Sequence, residues 1–463
     1  MRYISTRGQA PVLNFEDVLM AGLASDGGLY VPETYPTFSS DMIRKAAVRP
    51  YSETAFHVMK PYLDGAIHDD DFRAILDKTY ARFRHAGVVP LSQIGSNSWL
   101  LELYHGPTLA FKDVALCLLG NLFEHFLTKK GEKLTIIGAT SGDTGSAAIE
   151  GLRGLDSVEV FIFYPKGRTS DVQRKQMTTV PDDNIHAIAV EGTFDDCQAI
   201  VKTLFAEQDF RKKVPLGAVN SINWARVMAQ IVYYVTAASS LGAPDRGVSF
   251  SVPTGNFGDI LAGYVASRSG LPIHKLAIAT NANNILSRCY HTGDYKKGEV
   301  SKTESPSMDI QISSNFERLL FDLYGRDDAA MRDLHNDLRE KGGFTLSQDA
   351  ISRFKGMFLA DYANDEETLK TIKNVFETAD RLIDPHSAVG VTVSEKLGLD
   401  KADVPVVNLA CAAPAKFPDF VKKATNIHPP LPKHLSDLFE REERTQTIPN
   451  NINAVKEMLL KAQ

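Results

Sequence analysis

Cysteine is scarce in this sequence of 463 residues, and its scarcity excludes two classes of protein. The four cysteines stand far apart and form no Cys-x-x-Cys pair, so neither a disulfide framework nor a zinc site is expected. Free thiols are typical of a reducing compartment. We therefore predict no structural metal. The cysteines are Cys117, Cys197, Cys289 and Cys411.

Long hydrophobic runs and an excess of positive charge are also missing. Residues 1–8 lack the apolar core of a secretory signal. The most apolar long stretch, 227–243, is interrupted by polar residues, which is typical of a buried helix and not of a membrane span. A net charge of -6 without a long basic run argues against nucleic-acid binding. We predict a cytoplasmic protein that binds neither membranes nor nucleic acids.

From Trp99 onward, short apolar runs alternate with loops and helical stretches. This alternation predicts an α/β protein with mostly parallel sheets. Ligands of such sheets bind at the carboxyl ends of the strands. The predicted strands are 134–137, 158–164, 185–190, 248–252, 276–279 and 404–409.

The chain divides by pattern into four segments. The first carries no recognisable chemistry, and we interpret it as structural. Within the third, residues 317–381 are charged and helical in period, which predicts a helical insertion outside the sheet. The segments are an N-terminal domain (1–95), a small α/β domain with the lysine described next (96–240), a large α/β domain (241–428) and a C-terminal tail (429–463).

A single lysine, Lys112, follows a Gly-Pro turn among mostly uncharged and aromatic residues. Apolar surroundings disfavour the ammonium form of lysine and leave its amine free as a nucleophile. Such an amine can form a Schiff base with an aldehyde cofactor. Taken alone, a lysine near a helix start is more often a solvated surface residue. The interpretation of Lys112 therefore depends on the motifs that follow.

The loop 254–259 joins a predicted strand to a predicted helix and contains two glycines. Glycine permits a tight turn that brings backbone N–H groups close to an anion, and the helix N-terminus adds positive potential. We predict a phosphate site here, and a plain tight turn is the alternative. The residues are Gly255, Asn256, Phe257, Gly258 and Asp259.

The loop 140–146 occupies the same position after another strand. It lacks the GK[ST] ending of a nucleotide-binding loop and is not GxGxxG, so neither ATP nor a dinucleotide is expected. Hydroxyls and backbone N–H groups suit a small carboxylate better, and a capped helix start is the alternative. The residues of interest are Thr140, Ser141, Gly142, Asp143 and Thr144.

A third cluster contains Asn220, Ser221 and Arg226. Neutral donors beside a bidentate cation make a good second phosphate site. On its own, an arginine at the start of a helix is more often structural.

Together these motifs resemble the threonine synthase family. The resemblance rests on HGPTLAFKD, ATSGDTGSAA, NSINWAR and PTGNFGDILAGY, and STRG, DGGLYVPE and SSNFERLLF are similar to the longer bacterial and fungal form. It implies fold type II of the pyridoxal 5'-phosphate (PLP) enzymes, similar to the tryptophan synthase β subunit. That architecture has two α/β domains with mostly parallel sheets, to which this chain adds the N-terminal domain and the helical insertion.

The resemblance implies roles for individual residues. Lys112 is the catalytic residue and holds PLP covalently, and Asp143 lies near the cofactor ring. The cofactor phosphate is held by Gly255, Asn256, Phe257, Gly258 and Asp259. The substrate α-carboxylate is bound by Thr140, Ser141, Gly142 and Thr144. The phosphate of the substrate, O-phospho-L-homoserine, is bound by Asn220, Ser221 and Arg226.

The chain departs from the family pattern before Pro-Ala-Lys-Phe. Cys411 stands where the family usually has the threonine that contacts the pyridine nitrogen, and Ala413 stands where it usually has histidine. A thiol is a weaker hydrogen-bond partner than a hydroxyl.

The implied reaction converts O-phospho-L-homoserine and water to L-threonine and phosphate, by a monomer or homodimer. One alternative is another fold type II enzyme, either a serine/threonine dehydratase or a β-replacement synthase. The second alternative is a non-catalytic relative that binds PLP or a phosphorylated amino acid.

Overall fold

The computed structural model describes residues 1–140, 142–218 and 220–461. The chain forms two compact units. The larger unit comprises Met1–Val18, Leu23–His105 and Ser221–Pro429. The smaller unit comprises Leu19–Gly22, Gly106–Asn220 and Pro430–Gln463. Each unit is built on its own mainly parallel sheet.

The strands of both units are short and numbered in chain order. They are β1 (Tyr3–Ser5), β2 (Tyr30–Pro32), β3 (Leu91–Gln93), β4 (Ser98–Glu102), β5 (Leu134–Ala139), β6 (Val158–Pro165), β7 (Ile185–Glu191), β8 (Leu216–Ala218), β9 (Val248–Pro253), β10 (Ile273–Thr280), β11 (Asp294–Lys296), β12 (Gly343–Thr345), β13 (Phe358–Tyr362), β14 (Val406–Ala410) and β15 (Thr445–Pro449).

The α-helices are numbered in the same way. They are α1 (Phe15–Ala21), α2 (Ser40–Ala46), α3 (Tyr51–Leu63), α4 (Asp69–Tyr80), α5 (Lys112–Lys130), α6 (Asp143–Leu152), α7 (Asp171–Thr178), α8 (Phe194–Ala206), α9 (Gln208–Arg211), α10 (Trp224–Ser240), α11 (Gly258–Arg268), α12 (Ile285–Thr292), α13 (Phe316–Leu323), α14 (Asp328–Glu340), α15 (Gln348–Met357), α16 (Asp365–Ala379), α17 (Pro385–Lys396), α18 (Pro418–Thr425) and α19 (Ile452–Lys461). Short 3-10 helices lie at Pro306–Met308, Leu399–Lys401, Pro414–Lys416 and Lys433–Leu435.

The larger unit contains a six-stranded sheet of order β13-β10-β9-β14-β4-β3. Its strands pair in parallel except β3, which is antiparallel to β4. Every residue of β9 and β14 is buried, as expected for central strands covered on both faces. Ser251 of β9 is paired with Asn408 of β14. The carboxyl ends of these two strands therefore lie side by side.

The smaller unit contains a parallel five-stranded sheet of order β15-β7-β6-β5-β8. One of its faces packs into an apolar cluster that includes Ile137, Phe161 and Val190. Val455 and Leu459 of α19 belong to the same cluster. The chain terminus thus supplies both an edge strand and a covering helix to this sheet.

The strand predictions at 134–137, 158–164, 185–190, 248–252, 276–279 and 404–409 are confirmed as β5, β6, β7, β9, β10 and β14. The compact units nevertheless cut across the segment predicted at 96–240. Its first strand, β4, pairs with β14 of the larger unit, and its last helix, α10, packs against α11 and α3 of that unit. A strand-helix alternation reveals the elements but does not show which sheet each strand joins.

The segment 317–381 is not wholly helical, which corrects the expectation of a helical insertion. It contains α14, α15 and α16, but also β13, which pairs with β10 as the edge of the large sheet. Only five residues long, β13 alternates buried and half-buried positions before an exposed end, so its pattern is too short to distinguish from the surrounding helices. The stretch predicted as a buried helix is α10, and in the described part of the chain no helix is long and apolar enough to span a membrane.

An ionic cluster attaches the C-terminal tail to α7 within the smaller unit. The carboxylate of Glu443 accepts hydrogen bonds from the Arg174 guanidinium and from Thr178 Oγ1, the latter at 2.7 Å, and lies 3.3 Å from Lys175 Nζ. Partial burial opposes the charge of this carboxylate, but the hydrogen bonds from these three partners prevail and hold the pKa of Glu443 at about 2.

We expect Glu443→Gln to lower the melting temperature at about pH 7 by about 2–4 °C, the shift for about 1 kcal/mol in a unit of this size. The lowered pKa stabilises the fold above the unfolded value of 4.5 and ceases to do so as the pH falls towards about 2. The difference between variant and parent should therefore shrink by about pH 3 in calorimetry. Glu442→Gln, at an exposed neighbour, is the control. An equal difference at every pH would contradict the assignment.

Candidate active site

Lys112 is the first residue of α5, and only 9% of its surface is exposed. Its Nζ lies 4.7 Å from the centre of the Phe111 ring and 3.8 Å from Oδ2 of Asp143. A cation is unfavourable at the positive end of a helix, and the Asp143 carboxylate offsets this. The burial expected for a nucleophilic lysine is thus observed.

The packing of two helices brings Lys112 and Asp143 together, since each residue begins one of them. Helices α5 and α6 touch through Gly120 and Gly151, where a side chain on either glycine would overlap the other helix's backbone. Asp143 is in turn oriented by Gln173 of α7, whose Nε2 donates to Oδ1 at 2.9 Å. The sequence analysis missed Gln173.

The loop before α6 uses its own hydroxyl to fix its shape. Oγ1 of Thr140 accepts hydrogen bonds from the N–H groups of Gly142, at 3.0 Å, and Gly145, at 2.8 Å. The Thr140 hydroxyl is therefore engaged inside the loop, and its predicted contact with the substrate stays a prediction. Thr144 lies half-buried in the first turn of α6, whereas Ser141 lies outside the described residues.

The turn before Lys112 is held by a buried carboxylate that the sequence analysis also missed. Asp113 is fully buried and accepts hydrogen bonds from the N–H of Thr108, at 2.8 Å, and from its Oγ1, at 2.6 Å. Gln176 of α7 donates to the carbonyl of Thr108 at 3.2 Å. Helix α7 therefore supports both the lysine turn and Asp143.

In the larger unit, the predicted phosphate loop joins β9 to α11. Phe257 has a positive φ of 63°, which turns the chain into the helix that Gly258 begins. The Phe257 side chain is buried and packs on Phe316 and Phe358, so only its backbone can contact a ligand. A strand-loop-helix turn of this kind is one in which backbone N–H groups commonly bind anions, and the phosphate site stays a prediction.

The Asp259 side chain does not belong to that anion site. Its Oδ1 accepts hydrogen bonds from the hydroxyls of Tyr233 and Tyr234, the latter at 2.9 Å, in the interior of the unit. Burial and this carboxylate raise the pKa of both tyrosines. A carboxylate repels a phosphate, so only the backbone N–H of Asp259 could make the predicted phosphate contact, which stays a prediction.

Residues 313–315, absent from the site prediction, hold the phosphate loop from behind. Ser313 Oγ donates to the carbonyl of Gly255 at 2.6 Å. The backbone N–H and Nδ2 of Asn315 both donate to the carbonyl of Asn256 at 3.0 Å. These residues lie in the SSNFERLLF motif, but no local pattern indicates which loop they contact.

Cys411 follows β14 and therefore lies at the strand end next to the phosphate loop. Its N–H donates to Ser387 Oγ at 3.0 Å, and Ser387 Oγ donates to the buried carboxylate of Asp384 at 2.8 Å. The Cys411 thiol lies 3.8 Å from the carbonyl of Leu409. Ala413 is buried two residues later.

The boundary between the two units falls between Asn220 and Ser221. The carbonyl of Ser221 accepts a hydrogen bond from Asn315 Nδ2 at 3.0 Å. Arg226 lies in the first turn of α10, where desolvation lowers its pKa to about 10, so it stays a cation at neutral pH. Among the described residues, no cluster of histidine, cysteine and carboxylate side chains can hold a metal ion.

Three family models match the chain. Residues 2–80 match the threonine synthase N terminus, residues 85–337 match the pyridoxal-phosphate dependent enzymes, and residues 387–459 match the threonine synthase C-terminal region. The chain belongs to the threonine synthase family. It is a PLP-dependent enzyme of fold type II, as the sequence motifs predicted.

Individual threonine synthases resemble the chain over its whole length. The enzyme of Pseudomonas aeruginosa is 54% identical over 98% of this chain and 97% of its own. The crystal structure of PLP-bound threonine synthase from Brucella melitensis has a TM-score of 0.97 at 52% identity, covering 100% of this chain and 99% of that one. The yeast enzyme has a TM-score of 0.94 at 41% identity, with the same coverage.

The residues present fit PLP. Lys112 is a buried amine of the kind that bonds to an aldehyde, and the N–H groups at the start of α11 suit a phosphate.

A substitution at Gly142 tests whether the shape of the loop before α6 matters for activity. Its φ of 152° is rarely adopted by other residues, and a Cβ there would overlap the Gln173 amide that orients Asp143. We expect Gly142→Ala to lower kcat/KM for threonine formation by about tenfold or more, since such strain costs about 1–3 kcal/mol. Gly167→Ala is the control, because its φ is also positive but nothing lies within 4 Å. Equal effects of the two substitutions would show that the Gln173 contact is unimportant.

Proposed function

We propose that this chain converts O-phospho-L-homoserine and water to L-threonine and inorganic phosphate. The observation that carries the proposal is the buried Lys112, which begins a helix opposite Asp143. The chain around it is similar to a threonine synthase over 98% of its residues. The cysteine usage supports a cytoplasmic location, and we keep the prediction of a monomer or homodimer.

In this proposal, Lys112 acts as the acid and base. Bound PLP supplies an electron sink that stabilises negative charge at the carbon losing its proton. Lys112, released when the substrate amine replaces it, removes the proton from Cα. A second proton leaves Cβ, phosphate departs from Cγ, and a proton is added to Cγ, which becomes the methyl group. Water then adds its hydroxyl at Cβ, and a proton returns to Cα, so that the two protons removed earlier are both replaced. Asp143, which is held in place by Gln173, keeps Lys112 oriented. Its carboxylate balances the positive charge of Lys112 whenever the buried amine is protonated.

The substrate phosphate is assigned to Asn220, Ser221 and Arg226. Arg226 is buried and carries a desolvated charge, which strengthens its attraction to an anion. We assign the substrate α-carboxylate to residues 141–144, with the N–H groups at the start of α6 as donors. Binding the substrate at both ends holds Cα and Cβ in place for proton transfer.

The alternatives make different demands on the same residues. A dehydratase or β-replacement synthase acts on substrates without a phosphate and does not need Arg226. A non-catalytic relative needs the PLP site alone, and Cys411 with Ala413 is the departure that favours it. Both alternatives predict that phosphate release from O-phospho-L-homoserine is absent.

The proposal predicts that the PLP-loaded protein has a yellow absorbance band and releases phosphate and threonine from O-phospho-L-homoserine. Lys112→Ala should lose the band and lower kcat by at least about a thousandfold, because it removes both the covalent link and the base. Lys166→Ala, at an exposed lysine of the same unit, should keep both. A yellow parent protein that releases no phosphate would contradict the proposal in favour of the alternatives.

Arg226 distinguishes a phosphorylated substrate from an unphosphorylated one. We expect Arg226→Met to reduce kcat/KM for O-phospho-L-homoserine by about a hundredfold, the value of a charge-assisted contact to phosphate. Any slow reaction with L-serine or L-threonine should be reduced much less. Arg268→Met, at the exposed end of α11, is the control. Equal losses on both kinds of substrate would contradict the role of Arg226 in phosphate binding.

A further inference from the structure

Arg318, in the first turn of α13, is a buried cation whose hydrogen-bond partners are all neutral. Only 1% of its surface is exposed. Its guanidinium donates to the carbonyl of Tyr30 at 2.9 Å, to the carbonyl of Ile222 and to Oδ1 of Asn315. In the part of the chain that the structure describes, no carboxylate forms an ion pair with it. The adjacent Glu317 is bound by Arg7 instead, at 2.9 Å.

A buried charge whose hydrogen-bond partners are all neutral destabilises a fold, so its presence requires an explanation. Desolvation lowers the pKa of Arg318 to about 9, yet the group stays protonated at neutral pH. Three neutral acceptors take three of its five N–H groups. The neighbouring Glu317 raises the pKa of Arg318 electrostatically, but its charge is balanced by Arg7, so the group of Arg7, Glu317 and Arg318 keeps a net positive charge. An anion that is not part of the chain would compensate for it.

A candidate for that anion site is the phosphate loop, to which Arg318 is joined through the side chain of Asn315. Because Oδ1 of Asn315 faces the guanidinium, Nδ2 must face the other way. There Nδ2 donates to the carbonyls of Asn256 and Ser221, both at 3.0 Å. The Arg318 guanidinium therefore determines that Nδ2 of Asn315, and not Oδ1, contacts the loop.

The direction of those carbonyls determines the direction of the loop's N–H groups. In a trans peptide the C=O and the following N–H point to opposite sides. Asn315 holds the carbonyl of Asn256, and Ser313 holds that of Gly255, on the side facing α13. The N–H groups of Phe257 and Asn256 are consequently turned to the opposite side, where a phosphate can accept from them.

We propose that Arg318 is a positioning residue for the cofactor phosphate: it orients Asn315, which turns the loop N–H groups towards the anion, and its charge favours a dianion there. This inference rests on the proposed assignment of the loop 255–259 to the PLP phosphate. Arg318 lies behind the loop, so it acts through Asn315 and through its field and not by direct contact.

The test measures how well the apoenzyme distinguishes PLP from pyridoxal, which lacks only the phosphate. Both ligands carry the aldehyde that bonds to Lys112. The Kd for pyridoxal divided by the Kd for PLP therefore measures how much the phosphate contributes to binding. We expect Arg318→Met to reduce that ratio by about tenfold or more, with the Kd for pyridoxal changed by less than about threefold. Equilibrium dialysis at fixed pH and ionic strength measures both constants.

Matched variants separate positioning from general destabilisation. Arg318→Lys keeps the positive charge and should therefore retain more of the preference for PLP over pyridoxal than Arg318→Met. A merely structural role of Arg318 would not produce this difference. Arg326→Met is the control, since Arg326 also donates to carbonyls of the larger unit, those of Pro32 and Glu33, but not near the loop. Its ratio should equal that of the parent.

The outcomes distinguish this inference from the proposed function. A parent protein that binds PLP no better than pyridoxal would refute the phosphate loop itself. A parent that prefers PLP, with Arg318→Met keeping the full preference, would overturn the role of Arg318 alone. If Arg318→Met does not fold, Ser313→Ala can be used instead, because it removes one contact to the loop without changing the charge. An unchanged ratio of the two dissociation constants in Ser313→Ala would overturn the claim that residues 313–315 orient the loop.

Discussion

The direction of a few peptide units just beyond the strand ends governs both candidate loops. After β9, side chains of residues 313–315 draw the loop carbonyls to one side and leave the N–H groups on the other. After β5 the arrangement is reversed, because Thr140 accepts the N–H groups of Gly142 and Gly145. These two N–H groups are therefore engaged inside the loop and are not directed at an anion. Two loops in the same topological position thus differ in how their backbone groups are held.

Local patterns in the sequence predict the fold class and the principal residues of the site. The strand-helix alternation indicates parallel sheets, and Lys112 and the Gly-rich loop stand out because their chemistry depends on neighbours in the chain. Gln173 shows where this reasoning stops. With Ser170 it forms a capping box that a sequence can reveal, but its bond to Asp143 joins residues 30 positions apart. Arg318 was unpredictable for the same reason.

Sheet membership was the other property that the sequence could not supply. The short runs of β4 and β5 look alike as patterns, yet β4 pairs with β14 and β5 pairs with β6. Hydrophobic periodicity reports burial and not the partner that causes it. The tail shows this most clearly, since β15 has only one buried residue and is placed by its backbone pairing to β7 and by the ionic cluster at Glu443.

The buried charges of the two units have one physical consequence in common. Arg226 and Arg318 are desolvated cations, and the Lys112–Asp143 pair is nearly as inaccessible. Burying the two arginine charges therefore costs desolvation free energy when the chain folds. Anions that bind the folded chain but not the unfolded one recover that cost by mass action. A larger apolar core could offset the same cost but would carry no charge with which to attract an anion.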